Sequence, residues 1–303
     1  MASSESPGPS TPGDGANAPT PAVSIRCWGT RGSIPSPGPD TSRYGGNTSC
    51  VEIRAGATRV ILDAGTGIRI LGDALMEEGE VRDASVFLTH FHWDHIQGLP
   101  FFAPAYEPSF RLRLFGPRQE GETVEALLAG QMGPFHFPIP QQELPASLAF
   151  SEVDEGELTH GDFRIRAMRV RHSTITFGYR IEGAGRSVVY IPDNELEGGP
   201  FPTPIGWRDG IENFVRGADV LFHDAMFTND EASSFQGWGH STFEQALDLS
   251  LRAEVRKLYF FHHAPNRTDA ELDALLERFR KEAADRGGDL SVHAAAEGSE
   301  FQI

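Results

Sequence analysis

The sequence has little cysteine and no long apolar run. Cys27 and Cys50 are the only cysteines among 303 residues, and both fall in strand-like segments, which indicates buried thiols in a reducing compartment. A disulfide between neighbouring strands is left open. No window approaches the roughly 18 consecutive apolar residues that a bilayer requires, which excludes a membrane span. The chain also lacks the basic start and the apolar stretch of a secretory signal, so we expect a cytoplasmic location.

Positive charge is scarce as well. The chain has 26 basic and 43 acidic residues, and its formal net charge is −17. The basic residues are mostly arginine and are scattered, whereas an extended contact with DNA or RNA needs several phosphates to be neutralised together. We therefore expect no extended contact with nucleic acid. The ordinary apolar content excludes collagen, a coiled coil and wholesale disorder.

The chain divides into two unequal parts. Residues 1–22 consist largely of Pro, Gly, Ser and Ala without any Lys or Arg, which predicts a disordered tail. Residues 23–303 are expected to form one domain. Strand-like and helix-like segments alternate there, and the order predicts an α/β fold in which two mixed sheets lie between outer helices. The predicted strands are 23–28, 49–55, 58–63, 85–89, 163–170, 175–182, 186–191, 220–223 and 258–261.

Two helices carry start signals or an apolar face. Thr268 and Glu271 form a predicted capping box in front of an apolar helix face, and Ser241 and Glu244 form another. A further helix is predicted over 68–78. The segment 101–142 is rich in Pro and Phe, and it is expected to be either a lid over a pocket or an ordinary packed loop.

Histidines cluster directly after the apolar strand that ends near Leu88, in the segment HFHWDH over residues 90–95. Residues two apart at a strand end point the same way, so His90 and His92 can present two imidazoles to one cation. Asp94 and His95 lie past the bend and face a second position. Imidazoles and a carboxylate suit zinc, iron or manganese, and no thiolate in the motif selects zinc alone.

Further residues extend this motif into a family pattern. Asp63, the 90–95 block, His172, Asp193 and His262 occur in the order found in metallo-β-lactamase-fold hydrolases, which the chain from residue 23 onwards resembles. The segment HIQGLP over 95–100 and the Gly-Tyr-Arg of 178–180 are similar to the branch containing tRNase Z and the phosphonate-pathway cyclic phosphodiesterase. The resemblance implies a four-layer αββα sandwich and two divalent transition-metal ions, with Zn²⁺ expected and Mn²⁺ or Fe as alternatives.

The resemblance also implies which residues hold the two metals. It places one metal on His90, His92 and His172, the other on Asp94, His95 and His262, and Asp193 between them. Asp63 is expected to orient a ligand, although a structural strand-end role is almost as well supported. The last ligand is either His262 or His263, which face opposite sides of a strand. We favour His262, the first histidine after the apolar run 258–261, and leave His263 to line the pocket or to pack.

Two segments resemble the proton relay of tRNase Z. Residues 223–227, HDAMF, are similar to its His-Glu-Ala-Thr motif with Asp224 in place of Glu, and His240-Ser241-Thr242 is similar to its histidine segment. The predicted catalytic residues are Asp94, Asp224 and His240, with His240 protonating the leaving oxygen. The shorter Asp224 leaves its reach in question, and a turn carboxylate beside a helix-start histidine is the alternative.

Glycine-rich loops near the start provide candidate substrate contacts. Residues 28–33 and 44–49 resemble the opening of bacterial members of this branch, and Asn47, Tyr44 and Arg31 are candidates to contact a phosphate. Plain turns are the alternative interpretation.

These observations predict a dinuclear hydrolase that cleaves small phosphodiesters, such as cyclic nucleotides, with a metal-bridging hydroxide. Only a hairpin's length separates His172 from Asp193, where tRNase Z carries an RNA-gripping arm. Together with the acidic charge, this disfavours a tRNA 3′-processing endonuclease and predicts a small-molecule partner. The alternatives are hydrolysis of a lactone, ester or thioester, and a non-catalytic binding module. A homodimer is left open.

Overall fold

Strands and helices alternate along the chain in the computed structural model, which describes residues 22–79 and 81–303. The predicted tail therefore lies outside the described residues, apart from Ala22. The strands are β1 Ser24–Gly29, β2 Cys50–Ala55, β3 Thr58–Leu62, β4 Asp83–Phe87, β5 Arg111–Pro117, β6 Ser147–Val153, β7 Gly156–His160, β8 Phe163–Val170, β9 Thr176–Gly183, β10 Arg186–Ile191, β11 Val220–Asp224, β12 Lys257–Phe261, β13 Ser291–Ala294 and β14 Glu300–Gln302. The helices are α1 Gly67–Glu78, α2 Trp93–Ile96, α3 Val124–Gln131, α4 Trp207–Val215, α5 Asn229–Ala232, α6 Phe243–Arg252 and α7 Asp269–Arg286.

The strands form two mixed sheets of seven strands each, counted over the described residues. The first has the order β14-β1-β2-β3-β4-β5-β6, and the second has the order β13-β12-β11-β10-β9-β8-β7. Strands β3 to β6 are parallel, as are β10 to β13, whereas the hairpin-connected strands pair antiparallel. Because parallel strands end at the same edge, the loops after β3, β4, β10, β11 and β12 are brought to one rim of the molecule.

Apolar side chains fill three layers between these elements. Ile25, Val60 and Phe87 of the first sheet pack with Tyr179 and Phe222 of the second in one buried apolar cluster. Helix α1 covers the outer face of the first sheet, while α4, α6 and α7 cover the second. The predicted αββα sandwich is therefore confirmed. None of the helices in the described part of the chain combines the length and apolar character needed to cross a membrane.

The two predicted helix starts have different outcomes. Thr268 and Glu271 form the capping box of α7, as predicted. The box predicted at Ser241 and Glu244 is wrong by one residue, because Thr242 is the residue before α6 and pairs with Gln245. The Ser241 hydroxyl is already used, since it donates to the carbonyl of Asn194.

The segment 101–142 is neither a lid nor a loop throughout. It contains β5 and α3, and β5 lies inside the first sheet between β4 and β6. Exposed Arg111 and Arg113 alternate with buried Leu112 and Leu114, which is the period of a half-buried strand. That alternation was present in the sequence, and the abundance of Pro and Phe concealed it.

Both cysteines are buried and free on the neighbouring strands β1 and β2. Burial raises the pKa of the Cys27 thiol to about 12, and burial likewise raises the pKa of Cys50.

Candidate functional site

The first sheet supplies one half of the site from the loop after β4. His90 and His92 lie in this extended loop, and α2 then turns Asp94 and His95 toward the same centre. Asp94 is fixed from a second direction, because the backbone N–H of Ser33 donates to its Oδ2 at 2.7 Å. All four side chains of the motif thus face one cluster.

Asp63 holds this half of the site in place from beneath. Its carboxylate accepts hydrogen bonds from His95 Nδ1 at 2.8 Å, from the Thr89 backbone N–H at 2.7 Å and from the Tyr190 hydroxyl at 3.0 Å. The Thr89 hydroxyl donates to the same carboxylate and receives the Nδ1–H of His90 at 3.0 Å. Asp63 therefore orients two imidazoles and is not itself part of the cluster. Its backbone has φ of 61°, a strained value for a non-glycine residue.

The second sheet supplies the other half from three strand ends. His172 follows β8, Asp193 follows β10 and His262 follows β12. Asp193 lies between two groups of imidazoles. Its Oδ1 is 3.1 Å from His95 Nε2 and 3.2 Å from His262 Nε2, while its Oδ2 is 3.7–3.8 Å from the Nε2 atoms of His90 and His172.

The donor atoms of this cluster fit two cations. The Nε2 of His172 lies 3.1 Å from Nδ1 of His92, and the Nε2 of His95 lies 3.3 Å from Nε2 of His262. Within the described residues, Asp193 Oδ1 and His90 Nε2 are buried and form no hydrogen bond, although ring nitrogens lie close to Asp193 Oδ1. The other ring nitrogens of His90 and His172 donate to oxygen atoms, which leaves the facing nitrogens of these two rings with free lone pairs.

The protonation preferences agree with this interpretation. Burial lowers the pKa of His90 well below its usual range and lowers the pKa of His172 to about 4, so both imidazoles are uncharged at neutral pH. Burial also opposes the charged form of His95, but the carboxylates of Asp94 and Asp193 outweigh it and raise the pKa of His95. The buried carboxylates of Asp63, Asp94 and Asp193 surround the His95 imidazole, and this concentration of negative charge favours a bound cation.

A histidine–carboxylate pair adjoins the cluster. His240 Nδ1 donates to Asp224 Oδ2 at 2.9 Å, and its ring stacks on His262 with centroids 4.9 Å apart. The shorter side chain of Asp224 therefore does reach His240. Burial lowers the pKa of His240, but the charge of Asp224 outweighs it, and the resulting pKa is about 9. His240 lines an open cavity of about 460 Å³ together with Ser33, Phe91, His92, Trp93, Asp94, Asp193 and His262.

Two glycines and a buried glutamate shape the walls of this cavity. A Cβ at Gly32 would overlap the ring of His262, and a Cβ at Gly239 would overlap the ring of His172. The carbonyl of Gly239 accepts the Nδ1–H of His172 at 2.9 Å. The carboxylate of Glu195 accepts the backbone N–H groups of Gly237 at 3.3 Å and Gly239 at 3.0 Å, which fixes the loop in front of His240.

Four candidate residues lie outside the cluster. The Asn47 amide donates to Glu297 Oε1 at 2.7 Å, so its polar group is already engaged. His263 is buried on the opposite side from His262, and its Nε2 donates to the carbonyl of Ala295 at 2.8 Å. Arg31 is fully buried and donates to backbone carbonyls, while the Tyr44 hydroxyl donates to Asp273. Each of these residues holds loops together around the site.

The family of the chain follows from its similarity to known proteins. The model of the beta-lactamase superfamily domain matches residues 58–263, which include the histidine motif, His172, Asp193 and His262. The chain belongs to this superfamily. Membership, together with the cluster of imidazoles and carboxylates, confirms the predicted metal-dependent hydrolase of the metallo-β-lactamase fold. Its similarity to proteins named ribonuclease Z confirms the tRNase Z-like branch.

Individual relatives give the same picture. Ribonuclease Z of Limosilactobacillus reuteri is 30% identical over 225 residues, which cover 58% of this chain and 69% of the relative. The metallo-beta-lactamase fold protein YhfI from Bacillus subtilis superposes with a TM-score of 0.67 at 19% identity over 93% of this chain and all of that chain. Human tRNase Z, short form, superposes with a TM-score of 0.62 at 19% identity over 92% and 98% of the two chains.

These relatives contradict the predicted partners. We expected a small-molecule substrate and no extended contact with nucleic acid. Proteins named ribonuclease Z and tRNase Z indicate the opposite. The prediction was wrong because net charge averages over the whole surface and does not describe the surface around the site. The short β9–β10 connection excludes an arm between His172 and Asp193, but it does not exclude other ways to hold RNA.

Some site residues were missed by the sequence analysis. Thr89, Tyr190 and Glu195 each carry hydrogen bonds on which the cluster depends. Thr89 directly precedes the histidine motif, so its position was a usable signal. Tyr190 and Glu195 act across 127 and 42 residues of chain, respectively, and no local pattern marks such contacts.

Proposed function

We propose that the protein hydrolyses phosphodiester bonds, with RNA as the substrate class, at a centre of two divalent metal ions. The observation that carries this proposal is the His240–Asp224 pair beside the ligand cluster, joined at 2.9 Å. Such a pair suits a leaving alkoxide, which is a poor leaving group until it is protonated. The relatives named ribonuclease Z support RNA as the class.

The metal ligands of the proposal follow the two groups of donors. His90, His92 and His172 would hold one ion, Asp94, His95 and His262 would hold the other, and Asp193, which lies between the two groups, would be shared. We infer Zn²⁺, because five imidazoles and two carboxylates at these spacings suit it, with Mn²⁺ and Fe as the alternatives. When bound, such ions supply a nucleophile at neutral pH by lowering the pKa of water, and they neutralise charge on phosphoryl oxygens.

His240 acts as the general acid in this scheme. Its Nδ1–H is committed to Asp224, so Nε2 is the nitrogen available to a substrate in the cavity. A pKa of about 9 keeps the ring protonated at neutral pH. His240 therefore holds a proton at Nε2 and gives it to the departing oxygen, while Asp224 stabilises the imidazolium and fixes its orientation.

Comparing leaving groups tests this role. Bis-p-nitrophenyl phosphate releases a stable nitrophenolate, whereas a short RNA releases a ribose alkoxide. We expect His240→Ala to keep both metals and much of its activity on the nitrophenyl ester. On RNA the loss should be about 10²–10⁴-fold, the usual contribution of general acid catalysis. His136→Ala, which changes an exposed histidine, is the matched control and should alter neither rate.

Two other outcomes would contradict the proposal. Equal losses on both substrates would show that His240 is structural or a metal ligand. A parent protein that turns over lactones, esters or thioesters but no phosphodiester would establish the alternative hydrolase.

A further inference from the structure

Large apolar side chains are rarely exposed in this protein. In the described part of the chain, exposed examples are Ile34, Met76, Trp93, Phe101, Phe135, Ile205 and Trp238. Three of these adjoin the site in sequence. Ile34 follows Ser33, Trp93 lies between His92 and Asp94, and Trp238 is two residues before His240. The exposed tryptophans are therefore concentrated at the site, since Trp28 and Trp207 are buried.

Trp93 lies on the wall formed by the first sheet. It is the first residue of α2 and is 75% exposed, although it lines the same cavity as His92, Asp94 and His240. Because the indole of Trp93 is mostly exposed, its burial contributes little to the stability of the free protein. Its apolar face is available to a flat, apolar partner.

Trp238 lies in the loop that leads to His240, which lines the same cavity as Trp93. It is 63% exposed and stands between Gly237 and Gly239, whose φ angles are 83° and 87°. The carboxylate of Glu195 binds the N–H groups of both glycines, so the loop is pinned on either side of the indole. The ring packs edge-on against Phe235 with centroids 5.2 Å apart, and Phe235 stacks on Phe227 at 4.4 Å.

We propose that Trp93 and Trp238 stack on unpaired nucleobases next to the scissile phosphodiester, which makes single-stranded nucleic acid the preferred substrate. This inference rests on the proposed function. Every nucleobase has a π-face, so stacking holds a strand without regard to its sequence. Stacking also needs no basic side chain, which suits a chain with a formal net charge of −17. Bases paired in a duplex present only their edges and cannot stack in this way.

Two chromogenic esters with the same leaving group test the proposal. Thymidine 5′-(p-nitrophenyl phosphate) carries a base, whereas methyl p-nitrophenyl phosphate does not. In the parent protein we expect a higher kcat/KM for the thymidine ester. Trp93→Ala or Trp238→Ala should reduce that preference about tenfold, mainly through KM, because stacking contributes ~1–3 kcal/mol per base. The rate on the methyl ester, which offers no base to stack, should fall less than the rate on the thymidine ester.

Conservative and distant variants control for structural damage. Trp93→Phe and Trp238→Phe keep an aromatic face and should retain most of the preference. Met76→Ala removes an exposed apolar side chain from α1 and should leave it unchanged. A dinucleotide should quench tryptophan fluorescence of the parent, and the quenching should fall in each alanine variant. This binding readout does not depend on turnover.

The outcomes separate the two levels of the proposal. Hydrolysis of both esters with an unchanged preference and unchanged quenching in both alanine variants would overturn the stacking role alone. A parent that cleaves neither ester but is still quenched by the dinucleotide would overturn the proposed hydrolysis and leave stacking intact. Equal losses on both esters in the alanine variants would show that the tryptophans support the fold of the site.

Discussion

Replacing Asp63 by asparagine tests whether the hydrogen bonds that Asp63 makes to His95 and Thr89 control the metal affinity. The carboxylate accepts the Nδ1–H of His95, the N–H and hydroxyl of Thr89 and the hydroxyl of Tyr190. An asparagine of the same shape keeps one acceptor oxygen and puts an amide N–H₂ group in place of the other. With its oxygen toward Thr89, the amide meets the Nδ1–H of His95 as a second donor.

The expected loss follows from this clash of donors. His95 escapes it by moving its proton to Nε2, which is the nitrogen that faces His262 and Asp193. That proton must leave again before a metal binds. Mutation of such an outer partner of a ligand typically costs about 10–100-fold in metal affinity. The metal-free fold should lose about 1–3 kcal/mol of unfolding free energy as well, because a buried donor is left without an acceptor.

Two measurements separate these effects. Competition with a chromogenic chelator gives the metal affinity, and urea unfolding of the metal-free protein gives the stability. Tyr190→Phe is the matched control, since it removes one hydrogen bond to Asp63 and leaves the His95 tautomer unchanged. We expect it to bind metal like the parent. If Asp63→Asn binds two metal ions with the parent's affinity, the proposed control of the His95 tautomer is refuted.

Two further perturbations address the ligand set and the buried thiols. His92→Ala should lower both the metal content and the activity, because it removes an imidazole nitrogen that lies 3.1 Å from that of His172. Elemental analysis measures the metal content, and two bound equivalents in the variant would refute this prediction. Because the pKa of Cys27 is about 12 in the folded protein and about 9 in the unfolded chain, only the unfolded chain loses this proton just above pH 9. The unfolding free energy should thus fall by about 1.4 kcal/mol more between pH 8 and pH 10 in the parent than in Cys27→Ala, measured in urea, and equal slopes would contradict the pKa.

The strand pattern could be predicted from the sequence where it was strongly apolar. The histidine motif stands directly after the buried β4, and β8 to β12 all appear at their predicted places. Strand β5 was missed because its alternation of Arg and Leu lies among Pro and Phe residues. The capping box of α6 was displaced because Ser241, Thr242, Glu244 and Gln245 offer two overlapping patterns, and only tertiary contacts of Ser241 decide between them. The domain boundary at residue 23 and the homodimer stay predictions.

The arrangement of the site depended on contacts that no local pattern encodes. His262 and His263 are adjacent, yet His262 adopts φ of 60° and faces the cluster, whereas His263 points to the carbonyl of Ala295. The Gly-rich opening loops were expected to offer donors to an anion. The side chains of Asn47, Tyr44 and Arg31 instead donate hydrogen bonds to Glu297, to Asp273 and to backbone carbonyls, respectively. Apart from the carbonyl of Gly45, those partners lie more than 200 residues away in the chain, so their engagement could not be foreseen.

Residue 224 is Asp, whereas the motif that residues 223–227 resemble has Glu, and the structure shows how the shorter side chain still reaches His240. A glutamate would extend one methylene further toward His240, yet Asp224 reaches it at 2.9 Å. The backbone makes up the difference, because Asp224 ends the fully buried β11 and its carboxylate also accepts the N–H groups of Asn194 at 3.0 Å and Met226 at 3.2 Å. Asn194 follows Asp193 directly, so the carboxylate of Asp224 joins His240, the proposed general acid, to the loop that carries Asp193. Asp224 therefore holds His240 and the loop of Asp193 at one strand end, which fixes the proposed acid relative to the proposed metal ligands.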